Sequence, residues 1–295
     1  MALPLVQSLI FGLVLGSFIA LGAIGFTLVY GLVDMINFAH GEFVTVGAYA
    51  GLLAVAIAGV GLPLALVVAF VVTAVVGWAV AQATYEPLND AGPIPLLLTS
   101  IGVGLVMRNV IRLAAGPGAR YLDVSRPTTY RSEALGLFVT DQQVFVVGIT
   151  LVAVLVLHLF LDRTMMGIAM RATADNEDLA LVTGIDTKRV RHVVWLVGSG
   201  FAGIAGVLLA VTRSANPTTG FDQLLLILTA AILGGAGSPY GAVVGSYALG
   251  IGISMAIALL PTSVSDFGAT MAFVVLIVVL LVRPGGIVNQ EVRSS

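Results

Sequence analysis

The sequence predicts an all-α polytopic membrane protein with about eight or nine transmembrane helices. Hydrophobic residues make up 59% of the 295 positions, charged residues only 9%, and the mean hydropathy is +1.09. A soluble domain has roughly a quarter of its residues charged, so this chain lacks the polar surface that a water-soluble globule needs. Helices are expected because lipid cannot satisfy free backbone groups.

The apolar residues are gathered in long runs, and a helix that crosses the hydrocarbon core needs about 20 of them. One run, Leu224–Leu233, is too short to span alone, so we expect a broken or re-entrant segment near 224–241. The runs lie at Leu9–Leu32, Phe43–Val60, Leu62–Ala83, Ile94–Leu113, Val144–Leu161, Val193–Val211, Leu224–Leu233, Ala242–Leu260 and Phe267–Val282.

A glycine-rich stretch, GGAGSPYGAVVG at 234–245, follows the short run. Glycine and proline interrupt helices, so Gly234, Gly235, Gly237 and Pro239 mark the expected helix break. Broken helices often line transport pathways, and a plain interfacial turn between two helices is the alternative. A second polar connector, 114–142, mixes Pro, Gly and charge and is expected to be an irregular surface loop.

The polar stretch from Asp162 to His192 interrupts an otherwise apolar chain, which we treat as a single transmembrane domain over 1–295. It carries 10 of the 28 charged residues. Asp175 is expected to cap a short helix over Asn176–Thr183, and Gly184 is expected to end it. A partner would cover the apolar side chains, and the alternative is a helix lying back on its own protein or on the lipid interface. The residues assigned to this contact are Glu177, Asp178, Leu179, Ala180, Leu181, Val182 and Gly184.

The stretch GLVDMINFAHGEFVTVGAYAG at 31–51 places Asp34, Asn37, His40 and Glu42 within nine residues. A histidine with two acids is compatible with metal or proton chemistry. The spacing fits no ligand motif, and a tight interfacial turn between two spans also collects Asp, Asn, His and Gly. We therefore predict a structural turn and no metal site.

Composition and motifs exclude several classes of protein. There is no cysteine, and the net charge is −2 without a basic tail, so neither disulfides nor nucleic-acid binding is expected. A Walker A loop needs Gly-Lys-Ser/Thr, and the sole lysine, Lys188, lies between Thr187 and Arg189. The chain is predicted not to be an enzyme and to hold no cofactor, so an ATPase that drives transport must be another subunit.

These residues resemble one family. The 31–51 stretch, with Asn37, Phe38, His40, Gly41 and Glu42, is similar to the signature of LivH-type permeases of branched-chain amino-acid ABC importers. DLALVTGID from Asp178 resembles their coupling-loop pattern E-A-A-x-x-x-G, with Asp178 and Leu179 as departures. FAGIAGVLLA at 201–210 and GGAGSPYGAVVGSYALG at 234–250 also resemble the late helices of the family.

The resemblance implies a multi-pass protein of a prokaryotic plasma membrane, with residues 162–192 as a cytoplasmic coupling loop. Its implied partners are ATP-binding cassette subunits that bind the ATP, a second homologous permease, an extracytoplasmic substrate-binding protein and membrane lipid. It also implies an outer N-terminus, which loop charges leave undecided.

Three other functions stay open at this point. A permease of the same family for urea, amides or other amino acids shares the signature. An ion-coupled secondary carrier would need intramembrane carboxylates as relays, and these are sparse. An intramembrane enzyme would use His40 and Glu42.

Overall fold

The computed structural model describes residues 2–122, 128–132 and 137–259 and the isolated positions 270, 274, 277, 278 and 281. These ranges are helical apart from short connections and one hairpin. The helices are α1 (Ala2–Val33), α2 (His40–Ala58), α3 (Leu62–Val80), α4 (Pro93–Ala115), α5 (Asp141–Arg163), α6 (Met165–Asp175), α7 (Glu177–Val182), α8 (Thr187–Thr212), α9 (Thr219–Gly234) and α10 (Pro239–Leu259), and the strands are β1 (Thr129–Ser132) and β2 (Leu137–Thr140).

Each of the first eight predicted runs corresponds to a helix. Within the described ranges, seven helices are long and apolar enough to cross a membrane, and α9, with 16 residues, is shorter. This confirms an all-α polytopic membrane protein with a short segment where the sequence predicts one. The ninth run, Phe267–Val282, lies almost entirely outside the described residues.

Three helices form the centre of the bundle. The apolar windows of α1, α2 and α8 are 72%, 61% and 78% buried, whereas those of α4 and α5 are each 22% buried. Small residues allow the central helices to approach closely. A Cβ on Gly47 would lie 2.3 Å from the Cα of Gly203, so α2 and α8 touch through their backbones.

Two non-helical segments turn back into the bundle. The first re-entrant segment, 34–39, follows α1 and leads into α2. Nε2 of His40 lies 2.9 Å from the carbonyl oxygen of Gly22. Gly22 lies about 16 Å before the end of α1, at 1.5 Å per residue, so the chain has turned back along α1 by that distance. The second re-entrant segment, 213–218, follows α8 and leads into α9, and the N–H of Gly220 donates to Oγ1 of Thr45 on α2 (3.0 Å).

The two re-entrant segments are parts of an internal repeat. Asn37 in the first segment corresponds to Asn216 in the second. Gly41 at the start of α2 corresponds at the same spacing to Gly220 at the start of α9, and the ends of α1 and α8 keep that spacing as well. Each Asn Oδ1 accepts from the N–H two residues later, at 3.0 Å and 2.8 Å. Five spans precede α8, so α8 crosses in the direction opposite to α1, and the repeat is inverted.

Helix packing follows the same inverted repeat. In this repeat α1, α2 and α3 correspond to α8, α9 and α10. The contact of α3 with α8 thus matches that of α10 with α1, and the contact of α2 with α3 matches that of α9 with α10. The repeats meet where Gly41 faces Gly220, because a Cβ on Gly220 would lie only 1.7 Å from the carbonyl oxygen of Gly41. Helices α2 and α9 therefore both begin inside the protein. Non-helical backbone is tolerated at that depth only if it is buried or lines a cavity.

The polar connectors are more ordered than predicted. The described part of 114–142 contains the antiparallel hairpin β1–β2, held to the start of α1 by two 3.0 Å hydrogen bonds between Gln7 and the backbone of Phe138. In 162–192, α5 extends through Arg163 and α8 begins at Thr187, with α6 and α7 between them. Helix α7 lies where the sequence predicts a short helix, and α6, which precedes it, was not predicted.

Candidate functional site: the buried signature and the exposed helix α7

The signature residues lie inside the bundle and not at an interface. Asn37, His40 and Glu42 are each 1% exposed. Oδ1 of Asn37 accepts from the hydroxyl of Tyr85 at 3.3 Å, and the N–H of Phe38 donates to Oγ of Ser100 at 3.0 Å. Residues 34–39 do connect two spans, as predicted. They do not lie at the membrane interface, because they fold back along α1 into the bundle.

Glu42 pairs with Arg108 across two helices. Arg108 donates through Nε at 3.0 Å and through a terminal nitrogen at 2.6 Å, both to Oε1 of Glu42, and its guanidinium lies 4.1 Å from the ring centroid of Phe221. Arg108 therefore ties the peripheral helix α4 to the central helix α2. Oε2 of Glu42 is buried and accepts no hydrogen bond from the described residues.

These contacts are those of a structural junction. His40 is occupied by the Gly22 carbonyl and Glu42 by Arg108. Among the described residues, no group of three or more His, Cys, Asp or Glu side chains could hold a metal ion. The contacts of His40 and Glu42 support the structural role predicted for this stretch.

The predicted helix break lies between α9 and α10. α9 ends at Gly234 and α10 begins at Pro239, while Gly235 and Gly237 have φ of 113° and 89°. Such positive φ values favour glycine. The break is a four-residue turn, and its role in a substrate pathway remains a prediction.

Helix α7 spans Glu177–Val182, inside the predicted 176–183 range. Its N-cap is Asn176, whose Oδ1 accepts from the N–H of Leu179 at 2.9 Å, and not Asp175, which is the last residue of α6. Both residue types can cap a helix. Asp175 is still part of α6, so Asn176 is the residue that precedes the first turn of α7. Gly184 has φ of 88°, and the N–H of Ile185 donates to the Ala180 carbonyl at 3.0 Å, which ends the helix as predicted.

The apolar side chains of α7 divide into two groups. Ala180 is buried against the protein, whereas Leu179, Leu181 and Val182 are 60%, 52% and 85% exposed. A six-residue helix with three exposed aliphatic side chains beyond the ends of α5 and α8 is poorly suited to water. It offers a small convex apolar surface next to the carboxylates of Glu177 and Asp178.

Helix α7 is fixed to the bundle by charge. Arg191 on α8 pairs with Glu177 and, at 3.4 Å, with Glu86 after α3. Next to Glu86, Tyr85 stacks on Trp195 with ring centroids 5.1 Å apart and donates to Asn37. A continuous set of contacts therefore leads from α7 to the first re-entrant segment.

Sequence reasoning missed Arg108, Arg191 and Tyr85. Arg108 and Arg112 both occur near the end of α4, and their sequence context is typical of arginines that reach the interface. The sequence does not show which charged residues pair. A buried Glu42 needs a cation, but no sequence pattern specifies which arginine supplies it.

The chain matches one protein family over most of its length. Residues 8–282 match the family described as "Branched-chain amino acid transport system / permease component". It is 35% identical to the high-affinity branched-chain amino acid transport system permease protein LivH of Escherichia coli K12, over 96% of this chain and 95% of the relative. It is 32% identical to BraD of Pseudomonas aeruginosa PAO1, with the same coverage.

More distant relatives extend this result. A probable LivH of Methanocaldococcus jannaschii is 29% identical, over 95% of this chain and 91% of the relative. LivM of Salmonella typhimurium LT2 is 26% identical, over 79% of this chain and 59% of the relative. No solved structure matches the chain significantly.

The multi-pass helical fold agrees with these matches, and the relatives are transport permeases and not enzymes. The chain belongs to the family of permease components of branched-chain amino acid transport systems.

Proposed function

We propose that this chain is a membrane-spanning subunit of an ATP-driven importer that carries leucine, isoleucine or valine by alternating access. The observation that carries the proposal beyond family membership is α7, a short helix with Leu179, Leu181 and Val182 exposed at the end of the bundle. A protein partner would remove these apolar side chains from water. The chain has no Walker A loop, so an ATP-binding cassette subunit is the partner that the chemistry requires.

The contacts of α7 support its use as a lever. Arg191 holds Glu177 and Glu86, and the neighbouring Tyr85 contacts both Trp195 and Asn37. A displacement of α7 therefore acts on buried side chains next to the start of α2. ATP binding can change access only if the partner binds one arrangement of this lever more tightly than the other.

Further partners follow from the same proposal. The end of the bundle with α7 faces the cytoplasm, so the opposite end, with Gln7 and the β1–β2 hairpin, faces an external substrate-binding protein. The likeness to LivM, itself named a permease, supports a second homologous permease beside this one. ATP is bound by the cassette subunits and not by this chain, which carries no cofactor.

Uptake by the complete transporter in proteoliposomes tests this function. We expect labelled leucine to enter only with ATP and the binding protein, and unlabelled isoleucine and valine to compete. Competition by urea or acetamide without competition by valine would assign the chain to amide transport. Uptake that survives ATP depletion but stops with an uncoupler would contradict an ATP-driven importer.

A further inference from the structure

A cavity of about 170 Å³ lies where α8 ends and α9 begins. It is at the end of the bundle opposite α7, and the second re-entrant segment forms part of its wall. Charged and amide side chains contribute to the lining through Arg213, Asn216, Asp222 and Gln223. The volume suits a molecule of amino-acid size and is small for a drug-sized ligand.

Asn216 Oδ1 is occupied, because it accepts from both the N–H and the hydroxyl of Thr218 at 2.8 Å, but the other three polar side chains named above make few contacts. Arg213 and Asp222 are exposed at the mouth of the cavity. Among the described residues the guanidinium of Arg213 has no ion-pair partner, and Asp222 accepts only from Oγ1 of Thr218, at 3.2 Å. Oε1 of Gln223 is buried and has no partner within the same residues. Burying an amide oxygen without a hydrogen bond is costly, so a donor is expected to reach it at some stage of the transport cycle.

The inverted repeat provides an internal comparison. Asn37 in the first re-entrant segment is buried between Tyr85 and the backbone of Ala39. Asn216, its counterpart, lines the cavity. One segment is therefore filled by protein, whereas the other is open. The open segment also leads into the N-terminus of α9, and helix N-termini favour anionic groups.

We propose that this cavity binds the charged groups of an α-amino acid zwitterion when the substrate enters the permease. Arg213 receives the carboxylate, assisted by the start of α9, and Asp222 with Oε1 of Gln223 receives the ammonium group. Leu209, also in the lining, contacts the aliphatic side chain. The inference rests on the proposed function and narrows its substrate to molecules with both charges, which excludes urea.

The test uses the complete transporter in proteoliposomes with saturating leucine-loaded binding protein. The variants are Arg213→Gln and Asp222→Asn. Two variants outside the cavity are the controls. Arg112→Gln changes an exposed arginine in the last turn of α4. Asp141→Asn changes an aspartate in the first turn of α5, as Asp222 is in the first turn of α9. Leucine uptake and ATP hydrolysis stimulated by the binding protein are measured together.

We expect each cavity variant to lower leucine uptake about tenfold, the usual effect of losing a charge-assisted hydrogen bond. Stimulated ATP hydrolysis should change less than twofold, because neither α7 nor its contacts are altered. Normal uptake by both cavity variants would overturn the inference. An equal loss of uptake and hydrolysis would also overturn it, since that indicates lost docking or folding. Failure of the unmodified transporter to take up leucine would instead refute the proposed function.

Discussion

Replacing Arg108 by alanine is expected to destabilise the permease strongly, because it leaves the buried carboxylate of Glu42 without its partner. Glu42 is 1% exposed and receives both of its hydrogen bonds from Arg108. Removing one partner of a buried ion pair typically costs about 3–5 kcal/mol, because the remaining charge stays desolvated. The cation–π contact with Phe221 is lost as well. Thermal unfolding of the purified permease and its yield in the membrane measure the effect.

Arg112→Ala is the matched control, because Arg112 is exposed on the same helix four residues later. It should unfold within a few degrees of the unmodified protein. The double variant Glu42→Gln, Arg108→Met removes both charges and should recover part of the lost stability. Equal unfolding temperatures for Arg108→Ala and Arg112→Ala would show that the Glu42–Arg108 pair does not hold α4 to α2.

Replacing Gly184 by valine is expected to abolish transport while leaving the protein in the membrane. Gly184 has φ of 88°, which a β-branched residue adopts only with strain of roughly 1–2 kcal/mol or more. Nothing lies within 4 Å of the position of an added Cβ, so the strain acts on the end of α7 and not on packing. We expect uptake to fall at least about tenfold and the ATP-binding subunit to be lost on purification.

Gly59→Val provides a control at a second helix-ending glycine with positive φ. Gly59 ends α2 with φ of 61° and also has open space around it, but it lies far from α7 in the chain and at the other end of the bundle. Its uptake should stay within twofold of normal. If Gly59→Val reduces uptake as much as Gly184→Val, the loss reflects general strain and the role assigned to α7 is wrong.

Hydropathy alone predicts most of the fold because membrane spans have a length that the bilayer sets. It placed α1 to α5, α8 and α10, and it identified α9 as short. It could not predict the re-entrant segments, because nothing in the sequence of 34–39 or 213–218 distinguishes a buried segment from a turn at the interface. Their depth results from tertiary contacts such as Gly41 against Gly220, which only a folded chain brings together.

The candidate sites divide in the same way. Helix α7 could be predicted from a local pattern of cap, acidic first turn, apolar centre and glycine, although Asn176 caps it in place of Asp175. Long-range pairs could not be predicted. Glu42 and Arg108 lie on α2 and α4, and Glu177 and Glu86 share Arg191. The sequence offers several arginines as partners for these glutamates and does not indicate which one pairs with which.

The most direct test of the central claim is site-directed crosslinking at α7. The chain has no cysteine, so Val182→Cys introduces a single thiol at the most exposed position of the helix, and Tyr130→Cys places one on the hairpin at the opposite end of the bundle. In membranes that transport leucine, we predict that Val182→Cys crosslinks to the ATP-binding subunit and that Tyr130→Cys does not. A Val182→Cys thiol that reacts freely with a water-soluble maleimide and forms no adduct with that subunit would contradict the account.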